Sequence, residues 1–193
     1  LPDTLQTIGS YAFKNWSLLS ELVIPDSVQT IGFNAFSGAT SLQSIELPFV
    51  GQNRTSNETF GYIFGSDTNT GMTFVQQNSN FYLIPTLLTS VTITDATKIP
   101  DYAFENCIDL TTFRNNDEVI EIGRCAFNGC TSLTKLNSPS PSFRNTFIRV
   151  LSSTIIGLIL IFFSIHKSSN ILRVIVPLVN SKRGNSSKSF RDI

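Results

Sequence analysis

The residues most able to do chemistry are three cysteines (Cys107, Cys125, Cys130), one histidine (His166) and the acidic pair Asp117 and Glu118. A cysteine with a histidine would make a nucleophile and its base, or half of a zinc site. The spacing supports neither. Zinc ligands cluster at short fixed intervals, usually as C-x-x-C pairs, and this chain has no such pair; His166 lies far downstream beside an apolar run. There is no nucleophile elbow and no phosphate-binding loop, and Gly61 and Gly65 are a chance-level pair. Asp117 and Glu118 read as a solvated turn, and calcium would need the alternating Asp-x-Asp-x-Asp ligand run. Three cysteines, an odd number, argue against a disulfide framework. The expectation is a protein that is not an enzyme, with no catalytic residue, no metal and no cofactor.

The elements that would position any site repeat along the chain. Residues 1–23 align with residues 24–46 at an offset of 23. Matching pairs are Pro2 and Pro25, Asp3 and Asp26, Ile8 and Ile31, Gly9 and Gly32, Ala12 and Ala35, Phe13 and Phe36, Leu19 and Leu42, Leu22 and Ile45. After an interruption the pattern returns in Ile99, Ala103, Phe104, Leu110 and Phe113, and again in Ile122, Gly123, Ala126, Phe127, Leu133 and Leu136. A unit this short cannot bury its own apolar face, so it must stack on its neighbours as a solenoid. Each unit ends in an alternating apolar run suited to a short strand. Stacked units would align these strands in a parallel sheet, with a short helical turn on the opposite side of each coil. Phe13, Phe36, Phe104 and Phe127 would form a ladder beneath those turns, each burial worth roughly 1.5–3 kcal/mol.

The strings Ile24-Pro25-Asp26-Ser27-Val28-Gln29-Thr30-Ile31-Gly32 and Ala126-Phe127-Asn128-Gly129-Cys130-Thr131-Ser132-Leu133 resemble the BspA-like class of leucine-rich repeats, over about residues 1–137. The resemblance implies a leucine-rich-repeat solenoid, β-rich, with short parallel strands and short helical turns in each 23-residue coil. It also implies a surface or secreted adhesion molecule that binds host or extracellular-matrix proteins. The family's cysteine position holds Cys107 and Cys130 here but Trp16 and Ala39 in the first two units, which reads as a core slot rather than a functional thiol.

The outward strand positions are then the candidate protein-binding face: Glu21, Gln43, Ser44, Glu46, Thr89, Thr92, Thr111, Arg114, Thr134 and Lys135, flanked by Ser20, Ser90 and Thr112. For any single one of them a merely solvated role is an equal reading. The competing function is a structural spacer that projects another part of a larger surface protein.

Residues 49–87 interrupt the pattern. Phe36 to Phe104 is 68 residues against 69 for three clean units, so phase is nearly kept, and either two modified coils or an insertion is expected. Residues 66–71 and 76–80 read as loops. Phe60, Tyr62 and Phe64 read as core of an irregular coil; the sharper reading is an exposed aromatic ligand-binding loop.

The chain opens inside a repeat without a signal peptide and reads as a fragment. Its formal charge of zero hides an asymmetry: residues 1–142 carry 6 basic and 13 acidic residues (6 − 13 = −7), residues 143–193 carry 8 and 1 (8 − 1 = +7). The acidic array excludes nucleic acid as a partner. Residues 138–146 read as a linker and residues 147–166 as a transmembrane helix, although the charge-free run at 150–165 is 16 residues against the roughly 20 that a bilayer needs. The basic tail at 167–193 would then be cytoplasmic, leaving the array outside. A buried terminal cap, a strand within residues 171–179, or a frame-error product are the other readings of this tail. Asn15, Asn53, Asn57 and Asn185 each begin a glycosylation acceptor triplet, which matters only in a eukaryotic secretory route.

Overall fold

A computed structural model of the chain describes residues 1–67, 70–116 and 118–137, together with the two-residue strand Leu172–Arg173. The apolar periodicity does what the repeat requires. Five short strands, β2 (Glu21–Val23), β4 (Ser44–Leu47), β7 (Ser90–Ile93), β9 (Thr112–Asn115) and β11 (Lys135–Asn137), pair in parallel as successive rungs of one sheet. Strand β12 (Leu172–Arg173) adds to the β11 edge in antiparallel sense. The register follows the sequence repeat: Leu22, Ile45, Val91, Phe113 and Leu136 lie side by side, and all five are buried.

A second, narrower ladder runs along another side of the coils. There β1 (Thr7–Ile8) pairs with β3 (Thr30–Ile31), and β8 (Lys98–Ile99) with β10 (Glu121–Ile122), again in parallel. The I-G pair of the repeat sits at its end. Glycine is required there by proximity: a Cβ on Gly32 would lie 2.3 Å from the Ser10 nitrogen, and one on Gly123 would lie 2.3 Å from the Asp101 nitrogen. At Gly9, on the outermost coil, nothing lies within 4 Å.

The turn that follows is built from i→i+3 hydrogen bonds, such as Ala35 N–H to Gly32 O and Ala39 N–H to Phe36 O. It carries two left-handed residues four apart in each coil: Tyr11 and Asn15, Asn34 and Gly38, Tyr102 and Asn106, Cys125 and Gly129. The ladder of phenylalanines lies beneath. Phe13 stacks on Phe36 with centroids 5.2 Å apart, and Phe104 on Phe127 at 5.3 Å.

Across the interruption the spine passes through Phe64 and Phe60. Phe36 meets Phe64 at 6.5 Å, Phe64 meets Phe60 at 5.3 Å, and Phe60 meets Phe104 at 5.0 Å. The short 3-10 helix Phe60–Ile63 therefore replaces the usual turn; Ile63 O accepts from Phe36 N–H and Ala103 O accepts from Phe60 N–H. Phe60 and Phe64 are buried and Tyr62 is half-buried, so this segment is core and not an exposed aromatic loop.

Of the two readings of residues 49–87, the strand pairing agrees with an insertion and not with two modified coils. Ser44 pairs directly with Ser90, 90 − 44 = 46 residues on, whereas Glu21 pairs with Ser44 at 23. One repeat length of chain makes no rung. It is spent on an antiparallel hairpin, β5 (Met72–Gln77) and β6 (Asn80–Pro85). Residues 76–80, expected as a loop, are the hairpin's tip: Asn78 and Ser79 both adopt positive φ, as a two-residue turn between twisted strands demands. Among the described residues no helix is long and apolar enough to cross a membrane. The expected linker and transmembrane segment lie outside the described residues.

Candidate functional site

The sheet's alternation puts six of the ten expected contact residues on its outer side, Glu21, Ser44, Glu46, Thr92, Arg114 and Lys135, and the other four lie one residue before a strand. One row reads Glu21, Ser44, Ser90, Thr112, Lys135; the next reads Val23, Glu46, Thr92, Arg114. Gln43, Thr89, Thr111 and Thr134 form a third row at the strand entrances. Glu21, Gln43, Glu46, Thr89, Arg114, Thr134 and Lys135 are exposed, while Ser44, Thr92 and Thr111 are half-buried. Four rung steps of roughly 4.8 Å each make a face roughly 19 Å across.

Not every residue on it is free. Gln43 O accepts from Thr89 N–H and Ser90 N–H, and Thr89 O accepts from Thr111 N–H and Thr112 N–H. The hydroxyls of Thr111 and Thr134 donate to the carbonyls of Thr89 and Thr111, at 3.0 and 3.4 Å. These threonines reinforce the ladder. The charged groups differ. Glu21 and Glu46 stand on the first two rungs, Arg114 and Lys135 on the last two, with hydroxyls between. None of the four enters an ion pair among the described residues. The face is thus polarised, acidic at one side and basic at the other.

Two of the cysteines, Cys107 and Cys130, are held in the protonated form by burial. Cys107 is buried, and burial pushes its thiol well above the ordinary range. Burial likewise pushes Cys130 up to about 12, and its sulfur donates to Phe104 O at 3.0 Å. Ala39, in the same slot, is fully buried, whereas Trp16 on the first coil is 46% exposed. No group of His, Cys, Asp or Glu fit to hold a metal ion occurs among the described residues. Asn53, one of the glycosylation candidates, accepts from Thr55 N–H and Ser56 N–H and so caps its own loop.

Sequence reasoning passed over the outer face of the hairpin. Phe74 and Phe81 are 65% and 50% exposed and stack on each other at 5.1 Å. The signal was there, as the apolar runs Phe74-Val75 and Phe81-Tyr82-Leu83-Ile84 on either side of Asn78 and Ser79, but the surrounding amides gave it the look of a loop.

A family model described as "BspA type Leucine rich repeat region" matches in six copies, over residues 1–70 and 76–156. The chain belongs to the BspA-type leucine-rich repeat family. Among solved structures, a leucine-rich repeat protein from Bacteroides ovatus ATCC 8483 is similar at 25% identity, over 69% of this chain and 28% of that one, with a TM-score of 0.41. A leucine rich cell surface protein from Faecalibacterium prausnitzii A2-165 is similar at 25% identity, over 70% and 34%, with a TM-score of 0.28. This BspA-type chain therefore spans about a third or less of the length of these relatives. A comparison with curated proteins found no match.

Proposed function

We propose that this BspA-type array is a non-catalytic protein-binding module of a cell-surface or secreted protein, and that the outer face of its parallel sheet is the contact surface. The observation that carries the reading is the polarised pattern of charges, Glu21 and Glu46 against Arg114 and Lys135, which form no ion pair among the described residues and are held in register on one side. Complementary charge steers encounter and fixes orientation more than it adds affinity, so the partner is a protein surface with the opposite polarity. A host or extracellular-matrix protein is the finer form of this proposal. Membership of the family supports the module, and the printed name of the Faecalibacterium protein supports a surface location.

The test is a triple reversal, Glu21→Lys, Glu46→Lys and Lys135→Glu, assayed for attachment to immobilised matrix proteins and host cells. Attachment should fall by roughly tenfold or more, a loss of about 1.4 kcal/mol, and the unaltered protein's attachment should weaken with salt. Attachment unchanged by the reversal would reject this face. Replacing the array by unrelated repeats of equal length tests the spacer reading: adhesion retained would favour it.

A further inference from the structure

We propose that the cleft between the β5–β6 tip and the turn at residues 102–106 binds a neutral sugar ring of an oligosaccharide, with Phe81 as its aromatic flank. This goes beyond the charged sheet face and uses none of its residues.

The cleft measures about 220 Å³ and is lined by Gln76, Asn78, Ser79, Tyr102, Glu105 and Asn106. Its walls are fixed. Asn106 Nδ2 donates to Gln76 O at 2.8 Å, Asn78 N–H to one Glu105 oxygen at 3.1 Å, and Asn128 Nδ2 to the other at 3.0 Å. Behind them Gln77, fully buried, ties the hairpin to the coils: its Oε1 accepts from Gly61 N–H at 2.8 Å and its Nε2 donates to Glu105 O at 3.1 Å. The tip is therefore held in place before any ligand arrives, which lowers the ordering cost of binding.

What remains open is chemically uniform. The side chains of Gln76, Asn78, Ser79 and Tyr102 make no hydrogen bond among the described residues. Each amide supplies donors and an acceptor, and each hydroxyl supplies both. Adjacent sugar hydroxyls need that mixture. A phosphate or sulfate would need cations, and the one charged side chain of the lining is the Glu105 carboxylate; Arg124 packs over the outer ring of Tyr102, 5.3 Å away. The same carboxylate disfavours acidic sugars. The volume is below the roughly 300–1,000 Å³ of drug-sized sites, which suits one ring at a time.

The apolar half would come from the neighbouring strand, beyond the residues that line the cleft. Phe81 lies directly across the strand pair from Gln76, on the same face, and Phe74 stacks behind it with the rings 17° from parallel. An exposed ring beside a row of amides can take the C–H face of a sugar while the amides take its hydroxyls.

The experiment applies the full chain to an array of neutral hexose and N-acetylhexosamine oligosaccharides, with uronic-acid oligosaccharides alongside, and follows the hits by saturation-transfer NMR. Neutral glycans should bind, with acidic ones weaker by about tenfold or more. Gln76→Ala and Phe81→Ala, both on exposed positions, should each weaken binding by about tenfold or more with unchanged melting curves. Tyr102→Phe should weaken it without loss of fold. No neutral glycan bound, or binding indifferent to both alanine variants, would overturn the proposal. So would a Phe81→Ala defect seen only in capture of a deglycosylated protein, which would make the hairpin a protein interface.

Discussion

At the scale of the residue, position within the coil decides chemistry. Cys107 and Cys130 occupy the slot that Ala39 fills elsewhere, and that slot is apolar. Burial raises the Cys130 thiol from an ordinary 9.0 to about 12. Below pH 9.0 folded and unfolded chains both hold the proton, and the contribution is intact. Between 9.0 and about 12 the unfolded thiol ionises while the folded one resists, so stability drains away as pH rises. Urea melts across this range should show falling stability, with a shallower fall in Cys130→Ala. Identical slopes would mean that the thiol is not desolvated. The core role of this slot was legible because Trp, Ala and Cys share it in the sequence. The need for glycine at Gly32 was visible as a motif, but its reason, a neighbouring backbone 2.3 Å from a would-be Cβ, exists only once coils are stacked.

At the scale of the element, one buried side chain ties the hairpin into the coils. Gln77 reaches into the core and satisfies Gly61 N–H and Glu105 O, and it lies 3.3 Å from the Cys107 sulfur. Removing it strands buried polar groups, each costing about 1–3 kcal/mol. Gln77→Ala should therefore speed hydrogen exchange at Gly61 and along β5–β6, leaving β4 and β7 protected. Unchanged exchange at Gly61 would show that the hairpin is held by other contacts. The strands of the main sheet were readable from local alternation, because every coil repeats the same apolar positions. The hairpin was not. Gln76, Gln77, Asn78, Ser79 and Asn80 look solvated in sequence, and only the distant Gly61 and Glu105 explain why an amide is buried among them.

At the scale of the whole molecule, cohesion runs through the rings from Phe13 to Phe127. Phe36 is 1% exposed and touches both Phe13 and Phe64, so Phe36→Ala should cost about 3–5 kcal/mol in chemical denaturation. Phe13, half-buried on the first coil, should cost less; equal losses would mean that the spine does not govern stability. The period of 23 announced this arrangement in advance, since only stacking can bury such a unit. It did not announce that Ser44 and Ser90 are neighbours. That adjacency makes the β5–β6 hairpin an excursion from a single coil whose turn is Phe60–Ile63. Sequence exchanged at Asn78 and Ser79 inherits a rigid mount and leaves every other rung where it was. Such a corner can change its sequence without renegotiating the scaffold.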